Sequence, residues 1–204
     1  MKLATVINRV AADLLRGPDP IIDPRMPDRT EFAFETAKEM VIEHIKEREF
    51  DNLIVVAPDA GFAKKARLYA NALGCSLAIA DKQRRDHRER AEILDIIGDV
   101  QGKPVIVVGD FSISAGTLCD VTDVLVERGA DDVHIVISHG VFSKSAVGRI
   151  QDSRISSLVV TDSVENQLES LCDKIHVASV VPLFGEAIRR IHYRESISVL
   201  FEET

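Results

Sequence analysis

Residues 105–117, Val-Ile-Val-Val-Gly-Asp-Phe-Ser-Ile-Ser-Ala-Gly-Thr, hold the densest chemistry in this 204-residue chain. Four uncharged β-branched residues read as a buried parallel strand. The strand runs into a loop of small residues, 112–117, and a helical stripe follows at Leu118, Val121 and Leu125, with Gly129 as its stop. Strand, small polar loop and helix start make the layout of a phosphate cradle. Backbone N–H groups at a helix N-terminus point at an anion, and the helix dipole favours it. Gly116 allows close backbone approach, and Ser112, Ser114 and Thr117 offer hydroxyls. Asp110, at the strand end, is suited to a sugar hydroxyl or a metal-bound water. The plain alternative is an ordinary helix cap.

A second chemical feature is the segment 82–90, where Lys82, Arg84, Arg85, Arg88 and Arg90 face only Asp86 and Glu89. A local positive excess in an acidic chain suits contact with phosphate, and a solvated loop is the competing explanation. Asp59, in Pro58-Asp59-Ala60-Gly61, is either a site carboxylate or a turn residue after a strand. His139 reads as a structural histidine bonded to its surroundings. No His/Cys/Asp/Glu spacing suggests zinc, and Ser114 has no evident His and Asp partners for hydrolase chemistry.

These residues need elements to position them. A helix is expected over 3–16, a proline-rich arm over 17–28 and a long helix over 29–49, with Phe34, Ala37, Val41 and Ile45 inward. From residue 52 strand and helix alternate: strands over 53–57, 76–80, 92–97, 104–108, 132–138, 156–161 and 175–178. Helices are expected over 62–73, after the cradle, and over 182–192 with Leu183, Ala187, Ile188 and Ile191 inward, while 81–90 reads as a charged loop. Alternation of this kind predicts an α/β fold, a mostly parallel doubly wound sheet covered on both faces, behind an N-terminal helical arm. The domain division is 1–28 for the arm and 29–204 for a single domain. Ligands in such sheets bind outside the carboxyl ends of the strands. Five polar clusters fall there, following the strands at Asp59, Asp81, Asp110, His139 and Asp162.

Bulk properties narrow the classes. Hydrophobic residues make up 46% of the chain, enough for a real core, and the net charge of −8 argues against a general nucleic-acid surface. No apolar run reaches membrane-spanning length, and residues 1–3 do not open a secretory signal. Three scattered cysteines, Cys75, Cys119 and Cys172, suit reduced thiols in a cytoplasmic setting.

From about residue 50 to 201 the chain resembles ribose-phosphate pyrophosphokinase, the PRPP synthetase family, in its second (C-terminal) domain. The resemblance rests on Val-Val-Ala-Pro-Asp-Ala-Gly (55–61), Asp-Lys-Gln-Arg (81–84), Ile-Ile-Gly-Asp-Val (96–100) and Ala-Gly-Thr (115–117). It continues through Ser-His-Gly-Val-Phe-Ser (138–143), Val-Val-Thr-Asp-Ser (159–163), Glu-Ala-Ile-Arg-Arg-Ile-His (186–192) and Glu-Ser-Ile-Ser-Val-Leu-Phe (195–201). The resemblance implies a type I phosphoribosyltransferase fold and transfer of the β,γ-diphosphoryl group of ATP to O1 of ribose 5-phosphate, with Mg2+. It implies that Ser112, Ser114, Ala115, Gly116 and Thr117 cradle the 5-phosphate, and that Asp110 binds a ribose hydroxyl. It places Asp59 near magnesium, and Lys82 and Arg84 on a catalytic loop that stabilises the transferring phosphates.

The chain also departs from the family. The family loop reads Asp-Asp-x-x-Asp-Thr-x-Gly-Thr; here Gly109 and Ile113 replace two of its three carboxylates, leaving Asp110. Loss of one charged partner of a sugar hydroxyl costs about 1.5–3 kcal/mol of binding. Phe62 replaces a glycine in the diphosphate turn and is expected to crowd the ligand. No counterpart of the family's first domain, with its ATP and metal-binding histidine motifs, is visible in residues 1–50.

Three functions stay open. One is a partner-dependent or regulatory subunit that binds ribose 5-phosphate or PRPP and is not catalytic alone. It is expected to form a homo-oligomer, or a hetero-oligomer with a full-length PRPP synthetase, with the arm at a subunit contact. Another is an active ribose-phosphate diphosphokinase whose ATP site is completed by another chain. The third is a transferase or hydrolase that uses PRPP.

Overall fold

The computed structural model describes residues 42, 45, 50–83, 92–164 and 172–200. The expected arm 1–28, most of the helix over 29–49 and Arg84 lie outside them. Ile42 and Ile45 are helical and buried, as expected for Ile45.

Seven strands form one sheet in the order β3-β2-β1-β4-β5-β6-β7. They are β1 (Ile54–Ala57), β2 (Ser76–Gln83), β3 (Glu92–Ile97), β4 (Val105–Ser112), β5 (Val133–Gly140), β6 (Ser157–Thr161) and β7 (Ile175–Ala178). Every pairing is parallel except β2 with β3. The central strands are apolar on both faces because both faces are covered. On one side Val55, Ile106, Val108, Val136 and Val159 pack with Ala66, Tyr69 and Ala70 of α1 (Ala63–Leu73) and with Ile42 and Ile45. On the other, Val56, Val107, Ile135, Ile137, Leu158 and Val160 pack with Leu118, Val121 and Leu125 of α2 (Gly116–Glu127) and Ala146 and Ile150 of α3 (Lys144–Asp152). This is the doubly wound α/β sheet expected from the alternation.

The differences from expectation are local. Helix α1 is preceded by a 3-10 turn, Ala60–Phe62, so residue 62 ends that turn rather than opening the helix. Residues 81–83 belong to β2, with Lys82 paired to Ile93 across a bulge at Asp81/Lys82, rather than to a loop. Gly109, Asp110, Phe111 and Ser112 lie inside β4, not after it. Helix α3 has no counterpart among the expected elements, because only Ala146 and Ile150 are buried on it and so few apolar residues make no stripe. In α4 (Val181–Tyr193) Ala187 is buried as expected, but Ile191 is 50% exposed. Among the described residues no helix is long and apolar enough to cross a membrane.

The strand register leaves a notch in the sheet. Strand β1 stops at Ala57, level with Ile79 of β2, while Val56 is level with Val107 of β4. Its neighbours run on, β2 to Gln83 and β4 to Ser112, four residues or about 13 Å past the end of β1. The chain turns to opposite sides of β1 to form β2 and β4, so this notch is also the topological switch point.

Candidate functional site

The notch at the carboxyl end of β1 collects most of the candidate residues. Two strand spacings separate its walls, about 10 Å, the breadth of a sugar phosphate. Asp59 lies in the turn at its floor. The side chain caps the 3-10 turn: Phe62 N donates to Asp59 Oδ1 at 2.9 Å. The other carboxylate oxygen makes no hydrogen bond among the described residues. Phe62 does not crowd the notch as the sequence suggests; it is 8% exposed and packs in the core beside Ala66 and Tyr69.

Asp110 lies on the overhang of β4. Its Oδ2 pairs with Lys65 Nζ of α1 at 3.5 Å, and its Oδ1 accepts from the Phe111 N–H at 3.1 Å. The Lys65 ammonium also lies 5.6 Å from the centre of the Phe62 ring. Lys82 is on the overhang of β2, at the opposite wall.

Beyond β4 the chain enters the small-residue loop. Ser112 closes the strand and is buried, its carbonyl accepting from Val141 N at 2.9 Å, so it ends β4 rather than opening the loop. Ile113 is bound likewise through its carbonyl, from Ser143 N at 2.8 Å, while its side chain is 53% exposed. Ala115 is the unusual residue. It has φ 57° and ψ 7°, a left-handed conformation that costs a non-glycine residue about 1–2 kcal/mol, and it is 1% exposed. A left-handed residue followed by the right-handed first residue of α2 turns successive N–H groups towards one point, the concave arrangement that binds anions. The Ala115 N–H meets no acceptor among the described residues. The next donor, Gly116 N, reaches only Ser114 Oγ among the described residues, at 3.4 Å. Arg149 of α3, which sequence reasoning passed over, donates from Nη1 to the Ser114 carbonyl at 2.8 Å. A Cβ on Gly116 would stand 3.3 Å from the same nitrogen.

Known proteins share this arrangement of elements. Residues 88–202, more than half of the chain, match the model of the phosphoribosyl synthetase-associated domain. The chain belongs to that family. Among its relatives, a ribose-phosphate pyrophosphokinase of Maricaulis maris is 46% identical over 155 residues, covering 76% of this chain and 50% of the relative. One of Chromobacterium violaceum is 43% identical over 168 residues, covering 82% and 51%. The phosphoribosylpyrophosphate synthetase of Mycobacterium smegmatis superposes with a TM-score of 0.70 at 29% identity, covering 78% of this chain and 51% of that one. The chain thus spans about half the length of the curated relatives it matches.

Two other rim clusters of this phosphoribosyl synthetase-associated domain are structural. Asp162 Oδ1 accepts from Val180 N at 2.8 Å and Oδ2 from Ser179 Oγ at 2.6 Å, fixing the approach to α4. His139 Nδ1 pairs with Ser163 Oγ at 2.7 Å, and Ser163 Oγ in turn meets Thr161 Oγ1 at 2.7 Å. Burial holds the His139 imidazole below its ordinary value, against a smaller upward pull from the Asp110 carboxylate. Among the described residues no group of three or more His, Cys, Asp or Glu side chains could hold a metal ion.

Proposed function

We propose that this chain is the ribose 5-phosphate- and PRPP-binding part of a ribose-phosphate diphosphokinase, acting as a partner-dependent or regulatory subunit rather than as a catalyst alone. The observation that carries the reading is the buried, left-handed Ala115, whose N–H meets no acceptor among the described residues at the start of α2, beside the notch. A phosphate seated there meets the N–H groups of Ala115, Gly116 and Thr117 and the hydroxyls of Ser114 and Thr117. Asp110 then accepts from a ribose hydroxyl while its Oδ2 stays paired with the Lys65 ammonium. Ser112 supports the loop from its buried position through its backbone.

Magnesium fits this site only in company with substrate. The absence of a three-carboxylate cluster among the described residues does not suit a dedicated cage, but Mg2+ commonly uses one or two carboxylates together with substrate phosphates. Asp59, with one carboxylate oxygen uncommitted among the described residues, is the residue that would hold it. When bound, the ion neutralises charge on the diphosphate. Lys82 and Arg84 are the residues proposed to stabilise the transferring phosphates, and ATP belongs to this reading where a partner completes the site.

The loss of two loop carboxylates at Gly109 and Ile113 favours the non-catalytic reading. The retained Lys82 and Arg84 favour the second, an active diphosphokinase completed by another chain. Calorimetric titration with ribose 5-phosphate and with PRPP, each with Mg2+, tests the shared part. Binding abolished by Thr117→Val supports it, and no binding of either ligand overturns it. Formation of PRPP from ATP and ribose 5-phosphate by the purified chain alone would overturn the dependence on a partner.

A further inference from the structure

We propose that Arg149 is a positioning residue of the phosphate cradle, setting the Ser114–Ala115 peptide in its anion-binding orientation and lending its charge to the site; the proposal rests on the phosphate reading above. Three observations converge on it. Arg149 Nη1 donates to the Ser114 carbonyl at 2.8 Å. In a trans peptide the C=O and the following N–H point in opposite directions. Holding the Ser114 carbonyl towards α3 therefore turns the Ala115 N–H the other way, where it meets no acceptor among the described residues. That same residue carries the left-handed φ of 57°, a strained state that persists only where its surroundings enforce it. The enforcing contact on this side of the loop is Arg149.

The guanidinium has more to offer than that one bond. It is exposed, and among the described residues it pairs with no carboxylate. Of its five N–H donors, one is fixed on the Ser114 carbonyl. Its Nη1 would also lie 3.3 Å from a Cβ placed on Gly116, so the guanidinium lies close against the loop. The charge thus stands beside the N-terminus of α2, where it adds to the positive end of the helix dipole.

Two variants test this, Arg149→Met and Arg149→Lys, each with two readouts. In ligand-free protein the three-bond HN–Hα coupling and the amide exchange of Ala115 report the peptide's orientation. Titration with inorganic phosphate and with ribose 5-phosphate reports the site. Arg149→Met is expected to move the Ala115 coupling away from its left-handed value and to weaken both ligands at least about tenfold, the scale of one charge-assisted hydrogen bond. Arg149→Lys, which keeps the charge and a donor, is expected to restore the coupling and most of the affinity. An unchanged Ala115 coupling and exchange in Arg149→Met would overturn the proposal. So would failure of that variant to fold, since an exposed positioning residue should leave the melting temperature nearly unchanged. A wild-type chain that binds neither ligand defeats the phosphate reading instead, and the ligand-free coupling still decides whether Arg149 orients the loop.

Discussion

The Lys65 ammonium stands 3.5 Å from Asp110 Oδ2, joining α1 to the overhanging end of β4. Both side chains are about 40% exposed, so the pair contributes little to folding; Lys65→Met should change stability by less than about 1 kcal/mol in urea denaturation. Its importance lies with the carboxylate. Asp110→Asn should weaken ribose 5-phosphate by at least about tenfold, as expected for a lost charged partner of a hydroxyl, and leave inorganic phosphate unaffected. Equal losses for both ligands in parallel titrations would show that Asp110 acts on the loop and not on the sugar.

Ala115 combines a left-handed backbone with a nearly closed environment. A β-branched side chain there has neither the conformation nor the room. Ala115→Val should lower stability by at least about 2 kcal/mol, from the backbone penalty and overpacking together. Ala115→Gly should stay within about 1 kcal/mol of wild type, because relief of strain is offset by greater freedom of the unfolded chain. Chemical denaturation of both variants checks the pair.

Gly140 ends β5 where side chains of the adjacent β6 and of the following loop approach closely. A Cβ there would lie 2.6 Å from Val160 Cγ2 and 2.8 Å from the Phe142 ring. Gly140→Ala should cost about 1–3 kcal/mol, the usual range for overpacking. A wild-type melting curve for this variant would mean that Phe142 moves aside freely.

His139 gives the fold a pH dependence whose sign can be worked out. Burial lowers its pKa in the folded state, so the folded protein takes up a proton less readily than the unfolded chain. Its contribution is complete above the ordinary value of 6.5 and declines as pH falls through it. Denaturation midpoints measured between pH 7.5 and 5 should fall more steeply for wild type than for His139→Gln. Parallel profiles would remove His139 as the cause.

Much of the fold was legible because its signals are local. The β-branched runs at 54–56 and 105–108 read as buried central strands, and the stripe Leu118, Val121 and Leu125 is buried throughout. The reach of the strands was not legible. Whether residues 81–83 and 109–112 pair depends on β3 and β5 lying alongside, and nothing in their own polar composition declares it. Phe62 looks obstructive from its place beside a ligand turn, but it ends the 3-10 turn Ala60–Phe62, which carries it into the core. The loop residues 114–117 were evident from their small size and position before a helix. Arg149 was not, because it is 35 residues from the carbonyl it holds, and only the crossing of α3 over α2 brings them together.

The four-residue overhang of β2 has a last implication. Beyond Ile79 that strand pairs, among the described residues, only with β3, across a bulge, and isolated two-stranded ribbons are marginal in water. The amides of residues 80–83 should therefore exchange with solvent through a partial opening of small free energy, while those of β1, β4 and β5 exchange only when the whole domain unfolds. The wall of the notch that bears Lys82 is thus a separate cooperative unit from the wall that bears Asp110, and the two can differ in order without any loss of the core.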